Sequence, residues 1–119
     1  ASNLHADILT DLAASLSGSM GIAPTANLDP DKRHPSMFEP IHGSAFDIMG
    51  KGIANPIGSY WSAVMMLENL GELQAAQKLM FAIEKLTADK KVLPKDLGGT
   101  STTKQITKAM IDIISGKNN

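Results

Sequence analysis

The chain has no cysteine, which excludes a disulfide framework and any thiolate metal site. It also lacks an apolar run of 18 residues, so no segment is suited to a membrane-spanning helix. Neither sign of charge dominates, because 11 Lys and Arg face 12 Asp and Glu for a formal net charge of -1. That balance gives no electrostatic footprint for nucleic acid or an anionic membrane, and neither is expected as a partner. The opening ASNLHADILTD carries acids where a secretory leader would carry a basic stretch and an apolar block. A reducing, cytoplasmic setting fits these absences, and the opening reads as a chain entered in mid-domain. There is no internal repeat and no low-complexity tract.

Familiar catalytic and nucleotide-binding fingerprints are missing too. Gly50-Lys51-Gly52-Ile53-Ala54 is followed by Asn55 and so fails G-x-G-x-x-G, and it opens no strand-turn-helix unit. A phosphate loop would need glycine where Ala45 stands and Ser or Thr where Gly52 follows Lys51. No Ser-His-Asp or Cys-His arrangement stands in a recognisable setting. What remains is 119 residues, 43% of them hydrophobic, enough for a core in one small domain or in a piece of a larger one.

Apolar periodicity organises that material. Ile8, Leu9, Leu12, Leu16 and Met20 recur at helical spacing from Asp7, with Gly18 and Gly21 near the stop. Short apolar runs at 20–23 and 37–41, each cut by a proline, predict brief buried strands or extended segments around the polar turn NLDPDKRHPS. From Pro56 to Leu70 apolar residues occupy most faces, which predicts a deeply buried helix, with Trp61, Met65 and Met66 as packing residues. Gly71 ends it, and a second helix from Leu73 to about 88, with Leu79, Ile83 and Leu86 on one face, predicts an antiparallel pair. A last helix covers about 103–115, capped from Thr100 to Thr103, with Ile106, Met110, Ile113 and Ile114 inward.

Two groups of side chains suggest chemistry. Asp7 and Asp11, four apart, share one helical face about one turn apart, and two carboxylates so placed can hold Mg2+ or Mn2+ with water and substrate oxygens completing the shell. Acids in a first helical turn are also favoured by the helix dipole and then need no metal. In FEPIHGSAFDIMGKGIANP, His42 can stack on or bond a base, the small residues after it let backbone amides approach a ligand, and Asp47 can accept from a ribose diol. A structural turn around His42 and a helix cap by Asp47 serve equally well on spacing alone.

Taken with SNLHADILTDL before it and PKDLGGTSTTKQIT after it, that stretch resembles the carboxy-terminal part of the isocitrate and isopropylmalate dehydrogenase family, the metal-dependent β-decarboxylating dehydrogenases. IANPIGSYWSAVMMLENLG is most similar to the tartrate and D-malate branch. The resemblance implies an α/β fold of short strands plus about four helices, with 1–119 forming the C-terminal part of the large cofactor-binding domain. It implies a cofactor loop made by Glu39, His42, Gly43, Ser44, Ala45, Asp47 and Asn55, with His42 and Asn55 near the adenine of NAD and Asp47 on its ribose. It puts Asp7 and Asp11 on the metal-binding acids, for Mg2+ or Mn2+. The implied activity is oxidation and decarboxylation of a 2-hydroxy diacid such as D-malate or tartrate, with 3-isopropylmalate as the alternative substrate, by a homodimer. The family's catalytic lysine, tyrosine and substrate arginines lie upstream of these motifs, so no residue here is assigned to proton transfer and the segment alone is expected to be inactive. A non-catalytic, self-associating piece is the rival expectation, with apolar faces uncovered on the first helix and on the Pro56 helix. Two positions depart from the family pattern: His5-Ala6 stands for Phe-Gly, and Phe46 for proline.

Overall fold

The computed structural model describes residues 3–16 and 18–117, without the side chains of Asn3 and Asp7. Among the described residues there are four α-helices and one two-stranded sheet, as the α/β expectation has it. The first helix, α1 (Asn3–Leu16), starts four residues before Asp7. Its apolar repeat faces outward, since Leu4, Ile8, Leu9, Leu12 and Leu16 are all more than half exposed and, among its described side chains, only Ala14 is buried. Its main neighbour is the turn that follows, and a groove of about 240 Å³ lined by Thr10, Ala13, Ala14 and Trp61 separates it from the rest.

Residues 20–23 are not a strand. Ser19 Oγ accepts from Gly21 N at 3.0 Å and starts a 3-10 turn, Met20–Ile22. A local side-chain cap of this kind competes with extended backbone. The strand comes one step later, as β1 (Pro24–Asn27), antiparallel to β2 (Met37–Pro40) with Thr25 opposite Glu39. Neither strand carries a fully buried residue, because α2 covers one side and, among the described residues, no further strand flanks them. Between them the Asp29 carboxylate accepts from the backbone of Asp31, Arg33 and His34 at 3.1, 2.7 and 2.7 Å, which fixes the polar turn and gives His34 a local role.

The core lies among α2 (Ile57–Asn69), α3 (Leu73–Asp89) and α4 (Thr103–Ile114). Gly71, at φ +83°, permits the tight link between α2 and α3, which pack against each other. Ile57, Val64, Ala82, Ile83, Leu86, Ile106 and Met110 are buried together, with Trp61 packed beside them. Deep burial of α2 is only partly realised: Met66 and Leu70 face solvent, because α2 is covered by α3 on one side and the strands on another. Thr102 starts α4 with a reciprocal capping box to Gln105, typically worth about 1 kcal/mol. Tyr60 OH and Thr107 Oγ1, 2.7 Å apart, tie α2 to α4. Among the described residues no helix is long and apolar enough to cross a membrane. The consequence for function is positional: Ile57, at 1% exposure, anchors the start of α2 and so the loop that ends there.

Candidate functional site

The loop from Ile41 to Pro56 is fixed at both ends and open in the middle. At its start Ile41 N donates to Ala23 O at 3.1 Å, tying it to the sheet. At its end Thr103 N donates to Gly52 O at 2.9 Å and Thr103 Oγ1 to Ala54 O at 2.5 Å, so the first residue of α4 clamps the loop's exit. Close approach helps: a β-carbon on Gly58, in the first turn of α2, would stand 3.0 Å from Gly21 O and 3.2 Å from Pro40 Cβ. Only glycine lets α2 press so near the Met20–Ile22 turn.

Within the loop, His42 is exposed and its Nδ1 lies 2.8 Å from Gly43 O. A carbonyl only accepts, so in this contact Nδ1 carries the hydrogen, and Nε2 is the ring nitrogen left for another partner. Ala45 adopts a left-handed conformation at φ 43°, ψ 57° and precedes a 3-10 turn, Phe46–Ile48. Such backbone in a residue with a β-carbon costs about 1–2 kcal/mol and is concentrated at ligand-holding loops. Asp47 lies in that turn, exposed, as the acidic residue of its first turn. Gly43 and Ser44 are exposed beside it, and Phe46 projects at 76% exposure. Glu39 stands on β2, just before the loop, with its side chain outward.

Asn55 closes the loop with both ends of its amide engaged. Its Oδ1 accepts from Ile57 N at 2.9 Å, capping α2, while Nδ2 donates to Asp96 Oδ2 at 2.8 Å. The same Asp96 oxygen accepts from Ser19 Oγ at 2.7 Å. Three motifs far apart in the chain therefore meet at one carboxylate. Asp96, Ser19 and Thr103 were not among the sequence candidates. The signal was PKDLGGTSTT, whose oxygens suggested only capping of α4.

The acidic pair lies apart from this loop on α1. Helix α1 places residues 7 and 11 one turn apart on one face, and Asp11 is exposed, whereas the Asp7 side chain lies outside the described residues. Because α1 begins at Asn3, neither acid falls in its first turn, where a dipole effect would account for them. Among the described residues no three His, Asp or Glu side chains gather in metal-binding geometry. The carboxylates have the hard-oxygen chemistry that Mg2+ or Mn2+ takes, and further ligands would have to complete the shell. For a dinucleotide, the loop offers an exposed imidazole, an exposed carboxylate and a fixed amide, groups that can hydrogen-bond a base and a ribose diol.

A family model described as isocitrate/isopropylmalate dehydrogenase matches residues 1–114. A probable tartrate dehydrogenase/decarboxylase of Agrobacterium vitis is 61% identical over 118 residues, covering 99% of this chain and 32% of that protein. The decarboxylating D-malate dehydrogenase of Escherichia coli (strain K12) is 48% identical over 119 residues, covering 96% and 33%. Among solved structures, isocitrate dehydrogenase from Methylococcus capsulatus superposes with a TM-score of 0.86 at 39% identity, covering 94% of this chain and 33% of the other. A β-decarboxylating dehydrogenase from Thermococcus kodakarensis, in its apo form, gives 0.81 at 40% identity, with 96% and 32% covered. The chain spans about a third of the length of the curated relatives it matches.

Proposed function

Since the chain belongs to the isocitrate/isopropylmalate dehydrogenase family, we propose that a full-length protein carrying it is an NAD- and divalent-metal-dependent dehydrogenase that oxidises and decarboxylates a 2-hydroxy diacid of the tartrate or D-malate type. The observation that carries the substrate class is the 61% identity to a probable tartrate dehydrogenase/decarboxylase, against 39% to an isocitrate dehydrogenase of similar fold.

When bound, the nicotinamide cofactor takes the hydride and the divalent cation acts as a Lewis acid toward the substrate oxygens. The residues of this chain bind and orient. His42 and Asn55 would lie near the adenine, and Asp47 would accept from the adenosine ribose hydroxyls. Gly43, Ser44 and Ala45 present backbone close to the ligand, and Glu39 lines the approach from β2. Asp7 and Asp11 hold the metal, Mg2+ or Mn2+. Proton transfer belongs to residues beyond this segment, so the segment by itself is inactive. A homodimer is part of the same reading, supported by the uncovered apolar face of α1.

Steady-state NAD reduction by the full-length protein with Mn2+ tests this directly. Tartrate or D-malate should give the highest kcat/KM among tartrate, D-malate, 3-isopropylmalate and isocitrate. A kcat/KM for 3-isopropylmalate or isocitrate above both would overturn the substrate class, and reduction of NADP in preference to NAD would overturn the cofactor.

A further inference from the structure

We propose that Asp96 is a positioning residue for the cofactor loop: its carboxylate, held by Ser19 and approached closely by Gly21, fixes the sense of the Asn55 amide and thereby the base selectivity of the site. The proposal rests on the reading above that Asn55 faces the adenosine half of the cofactor. Its own support is geometric. A carboxylate only accepts, so the Asn55 atom 2.8 Å from Asp96 Oδ2 is the amide nitrogen, and the opposite atom, Oδ1, accepts from Ile57 N at 2.9 Å. Turning the amide over would set oxygen against oxygen at one end and N–H against N–H at the other. Both ends specify the same orientation, which leaves Asn55 one N–H and one lone pair in fixed directions for a ligand.

Ser19 anchors the carboxylate. Ser19, at 9% exposure, donates to Asp96 Oδ2 at 2.7 Å while its oxygen also accepts from Gly21 N. A β-carbon on Gly21 would collide with Asp96 Oδ2, so this approach exists because residue 21 has no side chain. The first turn after α1, the end of the cofactor loop and the turn before α4 are thus joined through one oxygen atom. An amide fixed in one sense distinguishes an adenine amino group from the carbonyl that hypoxanthine carries in its place, and an amide free to turn does so less well.

The test uses the full-length protein carrying this segment, with ADP and IDP as probes in calorimetric binding, alongside steady-state kinetics. Asp96→Ala should weaken ADP about five- to tenfold, the scale of one lost charge-assisted hydrogen bond at a partly exposed site, and narrow the ADP-over-IDP ratio. In steady state the loss should appear as a raised KM for NAD. Asp96→Asn, whose side-chain carbonyl can still accept from both Ser19 and Asn55, should retain most of the affinity and the selectivity. In an Asn55→Ala background, Asp96→Ala should cost less than twofold more, because its effect runs through Asn55. Should Asp96→Ala not fold, Ser19→Ala loosens the same carboxylate from its other side and should narrow the ratio in the same direction. Asp96→Ala that keeps its full cost without Asn55, or that leaves ADP and IDP binding as in the parent, would overturn the positioning role. Asn55→Ala binding ADP as the parent does would instead overturn the placement of Asn55 at the adenosine, so the two failures are told apart.

Discussion

Gly21→Ala should impair cofactor binding while leaving the fold nearly intact. The backbone at residue 21 is not left-handed, so alanine meets no conformational strain there. Its β-carbon would collide with Asp96 Oδ2, come within 3.3 Å of Asp96 Cγ and stand 3.2 Å from Asn55 Nδ2. Both carboxylate atoms sit at the end of an exposed side chain that can swing away. What is lost is then two hydrogen bonds to a charged acceptor, from Ser19 and from Asn55. Shielded bonds of this kind contribute about 1.5–3 kcal/mol each, but Asp96 is open to water, which replaces them in part. A total of about 1–2 kcal/mol is the expected stability loss, a fall in Tm of no more than about 4–8 °C in a protein of more than 150 residues. Cofactor affinity should fall about five- to tenfold over the same change, because the Asn55 amide is released and crowded at once. Thermal melting and calorimetric titration with NAD in the full-length protein read the two quantities separately. Unaltered NAD affinity together with an Asp96 side chain that stays bonded to Ser19 and Asn55 in a crystal structure of the variant would refute the reasoning. So would a collapse of the fold, since that would mean residue 21 is held by backbone contacts rather than by a movable carboxylate.

Local patterns explain which parts of the fold could be read from the sequence. Helix α4 was legible because its cap and its apolar spacing act within a few residues: Thr102, within the 100–103 run, caps it, and Ile106 and Met110 turn inward as their spacing predicts. The α2–α3 pair was legible for the same reason, with Gly71 marking the link. Residues 20–23 were read from apolar content as a strand or extended segment, while Ser19 supplied a competing side-chain acceptor that made Met20–Ile22 a 3-10 turn and left Ala23 extended. The apolar repeat of α1 correctly gave a helix and could not give its partner, since periodicity says that a face is apolar and not what covers it. At the site, the loop from His42 to Asn55 was visible as a motif. Its attachment to Asp96, and through Asp96 to Ser19, was not, because those bonds span 41 and 77 residues and depend on how α2 packs against the Met20–Ile22 turn through Gly58.

Three further expectations follow from separate parts of the molecule. Asp47→Ala in the full-length protein should shift cofactor preference from NAD toward NADP on the order of tenfold, because a 2′-phosphate beside a carboxylate meets a like charge. An unchanged ratio of kcat/KM values for the two cofactors would remove Asp47 from the ribose. Ile106→Ala, at a position with 0% exposure, should cost about 2–5 kcal/mol in urea unfolding without altering substrate preference, and a loss below about 1 kcal/mol would contradict its place in the core. The acidic pair on α1 permits the most direct check of the metal. The helix starts at Asn3, so the dipole of its first turn does not reach Asp11, and Ser15 Oγ bonds the Asp11 backbone oxygen at 2.9 Å rather than its carboxylate. That carboxylate is exposed and available as a hard-oxygen ligand. Asp11→Asn keeps the shape and removes the charge, and it should raise the Mn2+ concentration for half-saturation on the order of tenfold or more. Electron paramagnetic resonance of free Mn2+ follows binding without requiring turnover, which separates a lost metal ligand from a damaged catalyst. Parent-like Mn2+ binding in Asp11→Asn would place the metal elsewhere and leave the two acids as surface charges one turn apart.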